Sequence, residues 1–174
     1  MERIEVIQIT PADFPDYAER ILRLEKEYPE ELRAEYDDYN DGICREGSVG
    51  LVLTVDGHFA GFALANELME NEIFEYGLAG VYPRDATYLE TITVVSTFRG
   101  LGLGLKLLQE CAVRSREAGF RFLVGHFRKN GSLSAARRIG MREIHVVPDW
   151  RGAGEPFVCG VIDLSSLPAN STVS

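Results

Sequence analysis

Between Val94 and Leu108 the sequence reads VVSTFRGLGLGLKLL, with Gly100, Gly102 and Gly104 at alternate positions directly after Arg99. The chain enters this stretch from a run of β-formers and leaves it in helical periodicity. The first turn of a helix exposes N–H groups without intrahelical partners and carries a partial positive charge, so it attracts anions. A diphosphate can reach those N–H groups only where the approach is free of side chains, as Gly100, Gly102 and Gly104 leave it. Arg99 adds a fixed positive charge. Strand, bare loop and helix start together make a cradle for a pyrophosphate. The plainer alternative is a glycine turn that lets the helix pack closely.

Two other diphosphate motifs are excluded. A P-loop needs GxxxxGK followed by Ser or Thr, which the chain lacks. A Rossmann turn follows an early strand and has an acidic residue about 20 positions on; here the glycines lie mid-chain and Arg121 stands near that place.

The elements that must position this cradle can be read in order. Residues 3–10 alternate as a first strand, and Thr10-Pro11 with Asp13 signals a helix start. Phe14, Ala18, Ile21, Leu22 and Leu24 then recur at helical spacing until Tyr28-Pro29. Residues 30–43 predict a second, acidic helix. Residues 50–68 predict two strands joined at Asp56-Gly57, a preferred type I′ hairpin dipeptide. Residues 66–85 are expected to form a long loop with at most a helical turn, of a length often tied to function. Residues 87–95 are a β-branched strand, and the helix after the glycines runs to a stop at Gly119. Residues 121–127 make another strand, 132–140 a short helix, and 141–147 and 157–164 a closing pair around the loop 148–156. Hairpin pairing requires antiparallel neighbours and a strand-helix-strand crossover requires parallel ones, so the sheet is mixed.

Length and composition set the limits. The chain has 174 residues, of which 45% are hydrophobic, enough for one well-buried core. A single domain is expected over residues 1–167, with 168–174 a flexible tail whose Asn170 sequon is without meaning in the cytoplasm. There is no run of about 18 apolar residues and no apolar leader after Met1, so a soluble, cytoplasmic protein without a membrane partner is expected. Cys44, Cys111 and Cys159 are an odd number without a CxxC pair, which fits a reducing compartment. His58, His126 and His145 show neither HxH nor HExxH spacing, so no metal site is expected. The net charge of −9 argues against nucleic-acid binding. That charge is uneven: residues 1–95 hold 7 Lys and Arg against 21 Asp and Glu, whereas residues 96–155 hold 11 against 5. An anionic ligand would be drawn to the second region and a cationic one to the first, unless both are simply solvated faces.

Arg99-Gly100-Leu101-Gly102-Leu103-Gly104 resembles the central signature of the GNAT superfamily of acyl-CoA N-acyltransferases: Arg or Gln, two residues, Gly, one residue, then Gly or Ala. Val94 is similar to the aliphatic residue of that family's splayed strand. Asn130 to Met141 resembles its second CoA-side segment, and the likeness spans roughly residues 51–164. It implies an α/β (α+β) fold with a mixed, mostly antiparallel central sheet flanked by helices, in the order β-α-α-β-β-β-α-β-α-β-β. It also implies that the N–H groups of Leu101, Gly102, Leu103 and Gly104 hold the pyrophosphate of acetyl-CoA. Main-chain groups of Val94 and Val95 would bind the pantetheine, and one of their amides would polarise the thioester carbonyl.

Within that resemblance Glu90 becomes the candidate general base. It lies four residues before Val94, and strict alternation would aim it to the same side, near the thioester. The family often carries a Tyr four residues before the closing glycine, but counting back from Gly140 gives Ala136. No general acid is therefore assigned, with Ser132, Ser134 and Tyr88 as substitutes. Asn130 either binds pantetheine or caps a helix. Trp150 and Arg151, with Glu67, Glu70, Glu72 and Glu75, are candidates for the acceptor pocket. The implied activity is direct transfer of an acyl group, acetyl by expectation, to a primary amine of a small molecule or protein in a ternary complex. Cys111 and Cys159 are then core residues. The alternative is a CoA-binding sensor without catalysis; the acceptor and a homodimer stay open.

Overall fold

The computed structural model describes residues 2–78, 80–81 and 85–168. Seven strands form one sheet in the order β1-β2-β3-β4-β5-β7-β6. They are β1 (Ile4–Ile9), β2 (Val49–Val55), β3 (His58–Glu67), β4 (Ala86–Val94), β5 (Phe122–Arg128), β6 (Arg142–Val147) and β7 (Phe157–Asp163). Among the described residues only β4 and β5 pair in parallel; every other neighbour is antiparallel. The expected mixed, mostly antiparallel sheet is thus observed.

The helices are α1 (Phe14–Glu25), α2 (Tyr36–Cys44), α3 (Glu70–Glu75), α4 (Leu103–Glu117) and α5 (Gly131–Arg138). β2 is buried along its whole length because helices cover both of its faces. On one face Leu51, Leu53 and Ala63 pack with Leu107 and Cys111 of α4 and Ala136 of α5. On the other, Val52, Phe62 and Leu64 pack with Phe14 and Ile21 of α1 and Ile43 of α2. The hairpin turns as its dipeptide predicts: Asp56 and Gly57 both have positive φ, 49° and 78°, the requirement of a type I′ turn.

Two expectations are corrected. The predicted helix over 30–43 is instead a short 3-10 turn, Glu30–Leu32, followed by α2. The break falls at Glu35, whose extended backbone caps α2 and whose N–H donates to Asp38 Oδ2 at 2.8 Å. A local capping option thus outcompetes continuous helical propensity. The expected loop 66–85 is shorter, since β3 runs on to Glu67 and α3 occupies Glu70–Glu75. Within it Pro83 lies outside the described residues, as do 169–174 of the expected tail.

The break before α2 also fixes a buried acid. Glu25 is only 6% exposed; its carboxylate accepts from the Tyr39 hydroxyl and, at 2.8 Å, from the Ala34 N–H. Tyr39→Phe keeps the ring that packs edge-on against Phe62 but leaves a buried carboxylate oxygen short of a donor. Such an orphaned partner costs about 1–3 kcal/mol, so urea unfolding should show a loss of that size with an unchanged m-value.

Candidate active site

β4 and β5 pair only from Ala86–Phe122 to Tyr88–Val124. Beyond that point the strands part, and a cleft of about 990 Å³ opens between them. Its walls include Glu90 to Val94 of β4, His126 to Arg128 of β5, and the glycine turn with the first residues of α4.

The turn is built by its glycines. Gly100 and Gly102 have φ of 81° and 75°, a region that side chains disfavour. A Cβ on either would meet nothing within 4 Å, so neither glycine is there to let α4 pack closely. Gly102 is the N-cap of α4, and no side chain caps the helix. The first main-chain bond of the helix is Lys106 N–H to Gly102 C=O. Among the described residues, no acceptor in the chain reaches the N–H groups of residues 101–105. The result is a row of free donors on open ground at a helix N-terminus, an anion site in its chemistry.

Arg99 is placed differently from a simple anion contact. Its Nε donates to Val94 C=O at 2.9 Å and its Nη2 pairs with Glu27. It braces the end of β4 against the segment after α1, and only the remainder of its charge faces the cleft.

The two main-chain candidates separate. Val95 N–H donates to Ala60 C=O at 2.8 Å within the sheet, so it is not free to polarise a ligand. That bond fixes the alternation of the ladder: Val94, opposite Gly61, turns its N–H away from β3 and towards the gap. Tyr28 spans the same edge, its hydroxyl 2.5 Å from Thr93 Oγ1 and 3.2 Å from Ile92 C=O.

Glu90 corrects the expectation from alternation. β3 pairs Leu64 with Thr91 and Ala65 with Leu89, which leaves Glu90 as the extra residue of a bulge. The bulge breaks the period of two between Glu90 and Val94. Val94 packs with the α4 cluster, whereas the charged groups around Glu90 are Glu72, Arg151 and Arg45, on the face that carries α2 and α3. Its side chain stays open to solvent within the cleft. The surrounding walls, foremost, and then the Glu72 carboxylate push its carboxyl above the usual range, against the pull of Arg151 and Asn66. A carboxylate so tuned is a serviceable base nearer neutral pH.

The remaining candidates spread out. Asn130 caps α5: its Oδ1 accepts from Ser132 N–H at 2.9 Å and Ser132 Oγ at 2.8 Å, so that oxygen is not available to a ligand. Ser132, Ser134, Trp150 and Arg151 line the cleft, as does Glu72. Glu67, Glu70 and Glu75 do not.

The sequence profile of the Acetyltransferase (GNAT) family matches residues 16–141. The chain belongs to this family. Its fold recurs in solved acetyltransferase structures of low identity. YncA of Salmonella typhimurium, solved with its cofactor acetyl-CoA, is 15% identical with a TM-score of 0.72, over 98% of this chain and 99% of that one. The ribosomal-protein-alanine N-acetyltransferase of Brucella melitensis is 19% identical with a TM-score of 0.70, over 91% and 99%. Mosquito arylalkylamine N-acetyltransferase like 5b is 18% identical with a TM-score of 0.68, over 91% and 99%. No curated protein matches the chain by sequence.

Several residues of this GNAT cleft were not singled out by sequence. His126 lines it, with Nδ1 2.8 Å from the Tyr88 hydroxyl and its ring stacked on Trp150 at 3.6 Å and 11°. Burial, with lesser contributions from His145 and Arg151, pushes the His126 pKa down to about 3, so the imidazole is neutral. The signal for it was the alternation of residues 121–127, which puts His126 on the same face as Val124. Asn66 is brought in by β3–β4 pairing and Tyr28 by the packing of the segment after α1 against β4, and neither carries a local signal. Ala136, the position of the missing Tyr, is wholly buried between α5 and α4.

Proposed function

We propose that this GNAT protein is an acetyl-CoA-dependent N-acetyltransferase that acts on a primary amine by direct transfer, with residues 1–167 as one catalytic domain. The carrying observation is the row of free N–H groups at residues 101–105, set at the mouth of a cleft whose other wall holds Glu90. Those donors suit the diphosphate of acetyl-CoA, and Gly100 and Gly102 keep the approach open. The chain of the pantetheine would run along the unpaired edge of β4, where Val94 N–H is available to stabilise charge growing on the thioester oxygen.

Glu90 takes a proton from the acceptor ammonium, directly or through water. The freed nitrogen lone pair bonds to the thioester carbon as the carbon–sulfur bond breaks. The departing sulfur takes up a proton, with Ser132, Ser134 and Tyr88 as candidate hydroxyl donors in the cleft lining. Tyr88 is the weakest of these, because its hydroxyl is engaged with His126 and burial raises its pKa well above the phenol range. The acceptor is an amine of a small molecule or a protein, the two kinds named for the Brucella and mosquito relatives.

Among the described residues, no helix is long and apolar enough to cross a membrane. Three free cysteines and this substrate support a cytoplasmic setting. The test is release of free thiol from acetyl-CoA across a panel of small amines and N-terminal peptides. Amine-dependent thiol release, with one acetyl group gained per acceptor by mass, is the expected result. Binding of acetyl-CoA without release for any acceptor would instead favour a sensor. No thermal stabilisation by coenzyme A would remove the cofactor reading as well.

A further inference from the structure

At the wall of the cleft, sheet pairing gathers three side chains that lie far apart in sequence and take no part in the transfer steps above. His126 on β5 and His145 on β6 each stand directly opposite Cys159 on the intervening β7. Directly paired residues share a face and have neighbouring Cβ atoms. The alignment depends on an irregularity: β6 pairs Glu143 with Gly160 and His145 with Cys159, leaving Ile144 as an extra residue. Without that bulge His145 would slip one position and lose its place opposite the thiol. One ring nitrogen of each imidazole and the Cys159 sulfur all come within 4.8 Å of one another.

A second observation points to a ligand. His126 Nε2 is buried and has no hydrogen-bond partner among the described residues; such groups are rare because leaving them unpaired costs free energy. Its other nitrogen is held by the Tyr88 hydroxyl at 2.8 Å, and Trp150 fixes the plane of the ring. The Tyr88 hydroxyl can accept from Nδ1–H, which accommodates the tautomer that leaves Nε2 with a free lone pair, the arrangement found at metal-bound histidines.

We propose that His126, Cys159 and His145 form a binding site for a borderline or soft transition-metal ion, zinc(II) above all. Two imidazoles and one thiol suit zinc, cobalt(II) or copper and do not suit magnesium or calcium. Three protein ligands leave one position for water. Binding forms the Cys159 sulfur–metal bond as the thiol proton passes to solvent, and His126 Nδ1–H then donates to Tyr88. The exposed His145 closes the remaining distance by side-chain rotation. The nearby cation Arg151 is directed to the Tyr76 hydroxyl at 2.9 Å.

Cobalt(II), titrated into the full chain with Cys44→Ser removing the exposed thiol, is the probe. One equivalent should bring up a sulfur-to-cobalt charge-transfer band, and zinc(II) should abolish it by displacement. The band should vanish in Cys159→Ser. His145→Ala, a change at an exposed position that does not threaten folding, should weaken cobalt binding at least about 10-fold, and Tyr88→Phe about 10- to 100-fold. A band missing from the parent protein overturns the site. So does one unchanged in Cys159→Ser or a titration unchanged in His145→Ala. The spectrum reads binding alone, so it stands apart from any result on acetyl transfer.

Discussion

Glu90→Gln lowers kcat with every accepted amine about 100- to 10,000-fold, the ordinary contribution of a positioned general base, while acetyl-CoA affinity by calorimetry stays within twofold. Gln keeps the size and polarity of the side chain in the bulge of β4 but cannot accept the proton of an ammonium. The pH profile gives a more specific outcome. The base works when deprotonated, and both the cleft walls and Glu72 raise its pKa. Activity of the parent enzyme therefore rises with pH along a limb centred above the usual carboxylate range. A second limb, at higher pH, belongs to the free amine of the acceptor. In Glu90→Gln the lower limb disappears and the upper one persists. Arg151 holds the Glu90 pKa down, so removing that cation moves the lower limb to higher pH. Arg151→Gly is the suitable variant, because the residue sits at φ 51°, a conformation glycine adopts without strain. An unaltered lower limb in Glu90→Gln would transfer the role to another group.

The difference between what the sequence revealed and what it concealed is physical. The glycine cradle is local: strand, turn and helix start are consecutive, and free N–H groups at a helix start follow from backbone geometry alone. The hairpin is local as well, set by Asp56-Gly57. Glu90 could be picked by its chemistry but not aimed, because its direction depends on a bulge that exists only once β3 and β4 are in register. The same holds for Arg99. Its charge is plain in sequence, yet its partner Glu27 lies 72 residues away. His126, His145 and Cys159 show no ligand spacing for the same reason, since three adjacent strands, not three adjacent residues, align them. The helix expected over 30–43 failed in another way: the segment reads as one acidic helix, but the Glu35 and Asp38 cap offered the backbone a local alternative.

Gly102→Asp weakens acetyl-CoA binding at least about 100-fold. A charge-assisted hydrogen bond contributes about 1.5–3 kcal/mol and tenfold in affinity corresponds to about 1.4 kcal/mol, so losing two such donors suffices. The carboxylate would stand at the N-cap of α4, on the ground that a Cβ finds open. There it repels a diphosphate and competes for the same first-turn N–H groups. Stability should change far less than affinity. The left-handed φ of 75° disfavours a side chain by about 1–2 kcal/mol, but Asp tolerates that region better than most residues, and a negative charge at a helix start is favourable by about 0.3–1 kcal/mol. Gly102→Asn separates the effects. It has nearly the same shape and the same backbone strain without the charge, so its affinity should fall between parent and Asp, and its melting temperature should match that of the Asp variant within a few degrees. Equal acetyl-CoA affinity in parent and Gly102→Asp, measured by calorimetry on folded protein, would place the diphosphate elsewhere and leave the open donors of α4 without a role.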